Sequence, residues 1–346
     1  MTLTLKGLFN NSAQHGQSEL SRIDYLDGWR GLAISFVLFA HFIPNSFYSA
    51  NYGRLGVDIF FVLSGMFMSK ILFEKRVPLT TFYKRRFSRI LPVFVIFISV
   101  FYFASYVFSL SNEHENFFYT LFFLRTYFPS DPSIMHTGIP VEHLWSLNVE
   151  EHCYILLSII TLFKVFKGRE YIPLLIVGFT TISLKYIYEI YPETASANYD
   201  IKTEIVASHL FISAGYYLIR DRFTKFVPPW LPLLTFVLAV LCYFEGAPWY
   251  STWLFSPLLL AFTVNHLNNI PEFFKNTLRF KPLSLLGVWS YSIYLWQQPF
   301  HYYGVKFGEL FPFAGIVFFL PLAIATGMFS FYFIENPIRT YLNNRF

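Results

Sequence analysis

Charge is what this chain has least of. Only 14% of its 346 residues are Asp, Glu, Lys or Arg, where soluble domains carry about 25%. A soluble binding module is excluded on that ground. The net charge of +5 is not a nucleic-acid signature, because the positive residues cluster beside apolar runs, as membrane topology requires. Cysteine is nearly absent: Cys153 and Cys242 both fall in apolar segments and read as small buried hydrophobes, with no disulfide framework. Residues 1–28 lack the short apolar core of a secretory signal, so the first apolar segment is expected to stay as an anchor. No fixed-period repeat and no Gly/Ser linker divides the chain, which reads as one domain. Its expected parts are a polar cytoplasmic segment 1–21, a membrane domain 22–340 and a cytoplasmic tail 341–346. With no soluble domain after the last apolar segment, any chemistry is expected within or at the membrane.

What is abundant is apolar. Hydrophobic residues make up 55% of the chain and aromatics 22%, with 44 Phe and 24 Tyr. The apolar runs are continuous rather than alternating, which favours helices over a barrel. The fold class is therefore all-α, a polytopic integral membrane protein. Ten spanning segments are expected, at about 30–48, 55–72, 90–110, 146–163, 171–190, 205–219, 230–244, 251–267, 284–302 and 312–334. An eleventh run, Phe117 to Phe128, is too short to span and contains Arg125. The positive-inside rule arbitrates. If 117–128 stays outside and both termini are cytoplasmic, the inner face receives all of the 26 Lys and Arg except Arg54, Arg125, Lys185, Lys202 and Lys306. Residues 111–145 are then an excursion on the outer face that includes a short helix.

Ionisable groups inside such segments need a reason, since each costs roughly 2.5–3.5 kcal/mol on insertion scales. Arg30 and His41 are eleven residues apart. That is within about 20° of three full turns, so they share a helix face about 16 Å apart along the axis. They look like two stations on a substrate path. At about 1.5 Å per residue, three more segments bring polar groups to the outer half: Asp58, the pair Glu150 and Glu151, and the pair Gln297 and Gln298. Matching depths argue for a shared buried pocket. At the inner face, Lys84-Arg85-Arg86-Phe87-Ser88-Arg89 places Arg86 and Arg89 side by side on a helix. The pair suits a phosphate, though composition alone favours a lipid-headgroup anchor that fixes topology.

Taken together and in order, these blocks resemble the acyltransferase 3 family of integral-membrane O-acyltransferases. The resemblance runs over about residues 22–340. It is carried by Asp24-Tyr25-Leu26-Asp27-Gly28-Trp29-Arg30-Gly31 with His41, by Gly56 to Gly65, and by Arg86-Phe87-Ser88-Arg89-Ile90-Leu91-Pro92. His143 to Tyr154, Ser290 to Trp296 and Phe333 to Arg339 complete it. There are two departures: Gln297 stands where members often have His, and His152-Cys153 where they usually have Gln-Phe. The first weakens any scheme with a base on the ninth segment and shifts the burden to His41. Some relatives also carry a soluble hydrolase-like domain after the membrane part.

The resemblance implies an acyl-CoA donor, usually acetyl-CoA, and a hydroxyl acceptor on a glycan or lipid-linked saccharide. Acyl transfer to an alcohol needs a base, a group that holds it, and a stabilised oxyanion. His41 takes the base. Arg30, Arg86 and Arg89 are assigned to the donor. Glu150 either orients His41, or grips the acceptor, or bridges helices as a hydrogen-bonding group. Asp58 either pairs with Arg54 or serves the acceptor. Tyr291, Tyr294 and Gln298 share a face and either donate to the oxyanion or acceptor, or, for the tyrosines, belong to an interfacial belt. No bound metal or resident cofactor is expected, and the expected partners are acyl-CoA, the acceptor and membrane lipids. Two rivals remain: a transporter or flippase, and a non-catalytic assembly factor on the same fold.

Overall fold

The computed structural model describes residues 24–44, 47, 49–111, 113–130, 133–308 and 313–345. The expected amino-terminal segment 1–21 lies outside them. Among the described residues the chain is helical without strands, apart from one isolated antiparallel bridge between Ala50 and Phe244. Its main helices are α1 Asp24–Phe42, α2 Tyr52–Ser69, α3 Leu79–Phe108, α4 Leu144–Leu162, α5 Tyr171–Ile190 and α6 Ser208–Ile219. They continue as α7 Leu231–Leu241, α8 Ser256–Asn265, α9 Lys281–Gly308, α10 Leu320–Ser330 and α11 Asn336–Arg345. Four stretches are long and apolar enough to cross a membrane: Tyr52–Glu74, Leu79–Phe108, Tyr171–Ile190 and Gly315–Arg345.

The first helix starts about six residues before the expected segment and ends about six before its end. Its polar opening is helical because Tyr25, Leu26 and Trp29 bury one side of it against Leu267, Ile270 and Leu278. Pro44, two residues past its end, cannot donate to a further turn. His41 therefore sits in the last turn of α1, nearer the end of the helix than its middle. Between α3 and α4, no helix among the described residues exceeds the five of Phe117–Leu121 and none crosses the bundle.

Side-chain pairings give each helix its direction. Arg30 meets Ser290 and His41 meets Gln297, so α1 and α9 run parallel. Ser213 bonds to Val62 O and Ser69 to Ala214 O, so α2 and α6 are parallel too. Arg86 with Glu151 and Tyr83 with Ser158 make α3 and α4 antiparallel. Helices α1 and α9 approach almost backbone to backbone. A Cβ at Gly287 would lie 1.7 Å from Asp27 O, and one at Gly31 1.9 Å from Leu283 O, so neither position tolerates a side chain.

The connections sort to two ends. At one, Glu245 N bonds to Ser49 O (2.8 Å) and Tyr127 Oη to Glu204 (2.5 Å). At the other, Arg76 pairs with Glu170 (2.8 Å) and Ser88 meets Asn343 (3.1 Å). Large aromatic side chains point outward between the ends, among them Phe103, Tyr106 and Phe108 on α3. Such an outward face suits lipid rather than water. This is a membrane protein.

Candidate active site

The parallel contact between α1 and α9 puts Arg30 and His41 of α1 against one helix. Ser290 and Gln297 are seven residues apart and so lie on one face of α9. Arg30 donates to Ser290 Oγ at 3.0 Å and lies 3.9 Å from Asp27. His41 Nδ1 is 2.7 Å from Gln297 Oε1. An amide oxygen only accepts, so Nδ1 carries the proton and Nε2 keeps its lone pair. Nε2 makes no hydrogen bond among the described residues. His301, one turn further along α9, stacks on His41 with ring centroids 4.4 Å apart. Its Nδ1 donates to the carbonyl oxygen of His41 at 2.6 Å. The imidazole of His41 is thus fixed by a bond to one nitrogen and by a stacked ring.

Gln297 is the residue that looked like a loss. Fully buried, it supplies the hydrogen bond to His41 that Glu150 would supply on one of its three readings. Glu150 makes no bond to His41. Its carboxylate accepts from the hydroxyls of Ser64 and Tyr154, and it lies within electrostatic reach of Arg30 and Arg86. Of its three expected readings the helix-bridging one is what the contacts describe.

The arginines divide. Arg86 is committed to protein partners: it pairs with Glu151 at 3.1 Å and lies 3.6 Å over the ring of Tyr154. Arg89 makes no hydrogen bond or ion pair among the described residues and is partly open. It lies within electrostatic reach of Arg30 and of Arg339. Glu335, almost fully buried at the end of a π turn, bonds to Ser292 at 2.7 Å and stands 4.0 Å from Arg339. Three guanidinium groups therefore gather near the start of α1 and share Glu335 and Asp27. That surplus of positive charge suits an anion. Sequence reasoning assigned no role to Glu335 or Arg339. The closing block Phe333 to Arg339 held both, and the π turn, a frequent mark of functional sites, shows only in the structure.

Of the remaining candidates, the two tyrosines tie helices together and Gln298 reaches His41 only through Gln297. Tyr291 donates to Ile90 O at 2.9 Å, tying α9 to α3. The Tyr294 hydroxyl donates to His143 O at 2.9 Å and meets Ser146 Oγ at 2.6 Å, tying α9 to the start of α4. Gln298 accepts from Gln297 Nε2 and donates to Glu142 Oε2, each at 3.3 Å.

Asp58 faces away from His41 into a closed polar cluster. Arg54 Nε reaches it at 3.0 Å and the Tyr243 hydroxyl at 2.7 Å, while His209 Nδ1 is 3.6 Å away. His209 Nε2 and the Tyr243 hydroxyl both meet Ser256 Oγ, at 3.2 and 2.7 Å. The order Asp–His–Ser is that of a hydrolase triad. Here, however, Asp58, His209 and Ser256 are all at most 2% exposed, so no substrate reaches the hydroxyl. The cluster locks α2, α6 and α8 together.

A family model described as an acyltransferase domain matches residues 23–335. A protein named "Putative O-acetyltransferase" from Staphylococcus aureus (strain COL) is 27% identical over 354 residues, covering 91% of this chain and 57% of its own length. The peptidoglycan O-acetyltransferase of Listeria monocytogenes serovar 1/2a is 27% identical, over 79% of this chain and 48% of its own. A protein of Bacillus subtilis (strain 168) named as a "Putative peptidoglycan O-acetyltransferase" is 28% identical, over 91% and 54%. The chain thus spans about half the length of the curated relatives it matches. No solved structure matches. The family match takes in every residue of the site just described except Arg339, and on it the chain belongs to the acyltransferase 3 family.

Proposed function

We propose that this chain is a membrane O-acyltransferase that moves an acyl group, acetyl in the simplest case, from acyl-CoA to a hydroxyl of a glycan or lipid-linked saccharide. One observation carries the reading: His41 is held through Nδ1 by Gln297, with Nε2 unbonded among the described residues. Such an imidazole is poised as a general base. Nε2 takes the proton of the acceptor hydroxyl as its oxygen attacks the thioester carbonyl. The tetrahedral intermediate collapses with cleavage of the C–S bond, and the departing thiolate recovers the proton from His41. The products are the O-acyl ester and free CoA.

The donor's phosphates would rest among Arg30, Arg89 and Arg339, near the start of α1, with the pantetheine arm running along α1 toward His41. Arg86, already paired with Glu151, serves that site by charge alone. The helix directions support ten crossings with both chain ends on the arginine side, which the positive-inside rule makes cytoplasmic. In bacteria that places the protein in the cytoplasmic membrane. Acyl groups would cross while the nucleotide stays inside. A glycan acceptor is supported by the Listeria relative, whose name specifies peptidoglycan.

The test is donor turnover by purified protein in detergent, without any gradient. Acetyl-CoA should be consumed in the presence of an acceptor oligosaccharide, and His41→Ala should abolish it while the protein still inserts and folds. Turnover at the wild-type rate by that variant would refute the assignment of the base. Absence of any turnover by the wild type, with gradient-driven movement of the saccharide, would favour the transporter.

A further inference from the structure

We infer that Glu142 positions His41 for proton transfer through two intervening side-chain amides, those of Gln298 and Gln297. The reading rests on His41 as the base.

Three bonds form one directed chain. His41 Nδ1–H donates to Gln297 Oε1 (2.7 Å), Gln297 Nε2 to Gln298 Oε1 (3.3 Å), and Gln298 Nε2 to Glu142 Oε2 (3.3 Å). Each amide accepts on the side of His41 and donates on the side of the carboxylate. No other arrangement satisfies all four groups, because a carboxylate only accepts and therefore sets the direction of both amides. The imidazole then has one tautomer available, with Nε2 free. When Nε2 takes a proton, the new positive charge faces a row of aligned amide dipoles that ends in a negative charge. Chains of this kind polarise one another and strengthen together.

Burial supports the chain. Gln297 and Gln298 are 0% and 3% exposed, so water does not compete for their amides. Glu142 is fixed from below, since its carbonyl accepts from Trp145 N at 3.2 Å in the turn that opens α4. The stretch before α4 is thus coupled to the end of α1 through α9. A carboxylate bound directly to an imidazole would hold the proton more strongly. Two amides moderate that pull.

The experiment compares Glu142→Ala, Glu142→Gln and Gln298→Leu, alone and as the double variant Glu142→Ala/Gln298→Leu, with His41→Ala as reference. All rates are normalised to folded protein eluting from a sizing column. Positioning is a part of what a general base contributes, and such bases contribute about 10²- to 10⁴-fold. Glu142→Ala and Gln298→Leu should therefore each lower kcat roughly tenfold, with KM for acetyl-CoA within about twofold. Members of one chain are not additive, so the double variant should fall no further than either single one. Glu142→Gln keeps an acceptor without the charge and should lie between. In ¹⁵N spectra of labelled histidine, His41 should be Nδ1-protonated in the wild type and a mixture of tautomers in Gln298→Leu. Unchanged kcat, additive losses or an unaltered tautomer would overturn the relay while leaving the base intact if His41→Ala is inactive. An active His41→Ala would overturn both.

Discussion

Arg30 and His41 leave α1 from one face and reach the same face of α9, at Ser290 and Gln297. Because the two helices run parallel, the basic end of the pair lies toward the start of both and the imidazole toward their far end. The donor path proposed above would follow the seam between these two helices, whose backbones nearly touch.

The seam itself is the first thing to test. A Cβ at Gly287 would sit 1.7 Å from Asp27 O, so Gly287→Ala forces the backbones of α1 and α9 apart. Overpacking of this kind costs about 1–3 kcal/mol and occasionally more, and here backbone rather than a side-chain tip must yield. The variant should melt many degrees lower in a detergent thermal assay. Gly246→Ala, where nothing lies within 4 Å, should melt with the wild type. Equal melting of the two variants would contradict the close contact.

The arginines separate by partner. Arg89→Gln removes a guanidinium that makes no hydrogen bond or ion pair among the described residues and should raise KM for acetyl-CoA roughly tenfold, the scale of one charge-assisted hydrogen bond at about 1.5–3 kcal/mol. kcat at saturation should change little. Arg86→Gln leaves Glu151 buried without its counter-charge, and breaking such a pair costs about 3–5 kcal/mol. Its signature should be loss of folded protein, with a smaller rise in KM than Arg89→Gln in what survives. Donor titrations beside sizing-column profiles distinguish the two.

Both halves of that contrast show where the sequence was legible. The helix class, most segment positions and the shared face of Arg30 and His41 follow from apolar run length and helical period, which are local. Which arginine is free does not, because Arg86 and Arg89 are alike until α4 arrives with Glu151. Tyr291, Tyr294 and Glu150 stand at the expected level, yet each is consumed by a partner on another helix. Gln297 was read as a missing base, and its amide proves to be what holds His41. Long-range pairing decides all of these, and one chain without relatives aligned beside it carries no record of pairing. The start of α1 was misjudged for a related reason, since its polar turn is helical only because the 267–278 stretch buries Tyr25, Leu26 and Trp29.

Asp58 should behave as a structural group. Asp58→Ala strands Arg54 and leaves the Tyr243 hydroxyl without its buried acceptor. A loss of about 3 kcal/mol or more in stability is expected. Protein that remains folded should turn over acetyl-CoA at close to the wild-type kcat. Ser256→Ala should leave turnover unchanged, because its hydroxyl is sealed from substrate. Loss of turnover in folded Ser256→Ala would make the Asp58–His209–Ser256 cluster catalytic after all.

The direction of the helices makes a prediction that needs no activity. On a background with Cys153 and Cys242 replaced by Ala, single cysteines at Ser196 and Gly246 should react in intact cells with a membrane-impermeant maleimide. Single cysteines at Gly168 and Asn343 should react only after the membrane is opened. The connection after α1 bonds to the one between α7 and α8, Tyr127 bonds to Glu204, and Arg54 at the start of α2 reaches Asp200 O, so these loops share an end. Arg76–Glu170 and Ser88–Asn343 define the opposite end. The arginine group lies with the second set, because Arg339 and Arg89 belong to the helices that Ser88 and Asn343 join. Labelling of Gly168 and Ser196 from the same side would require α5 not to cross. It would also place the donor and acceptor on one face, leaving a thioester path along α1 without purpose.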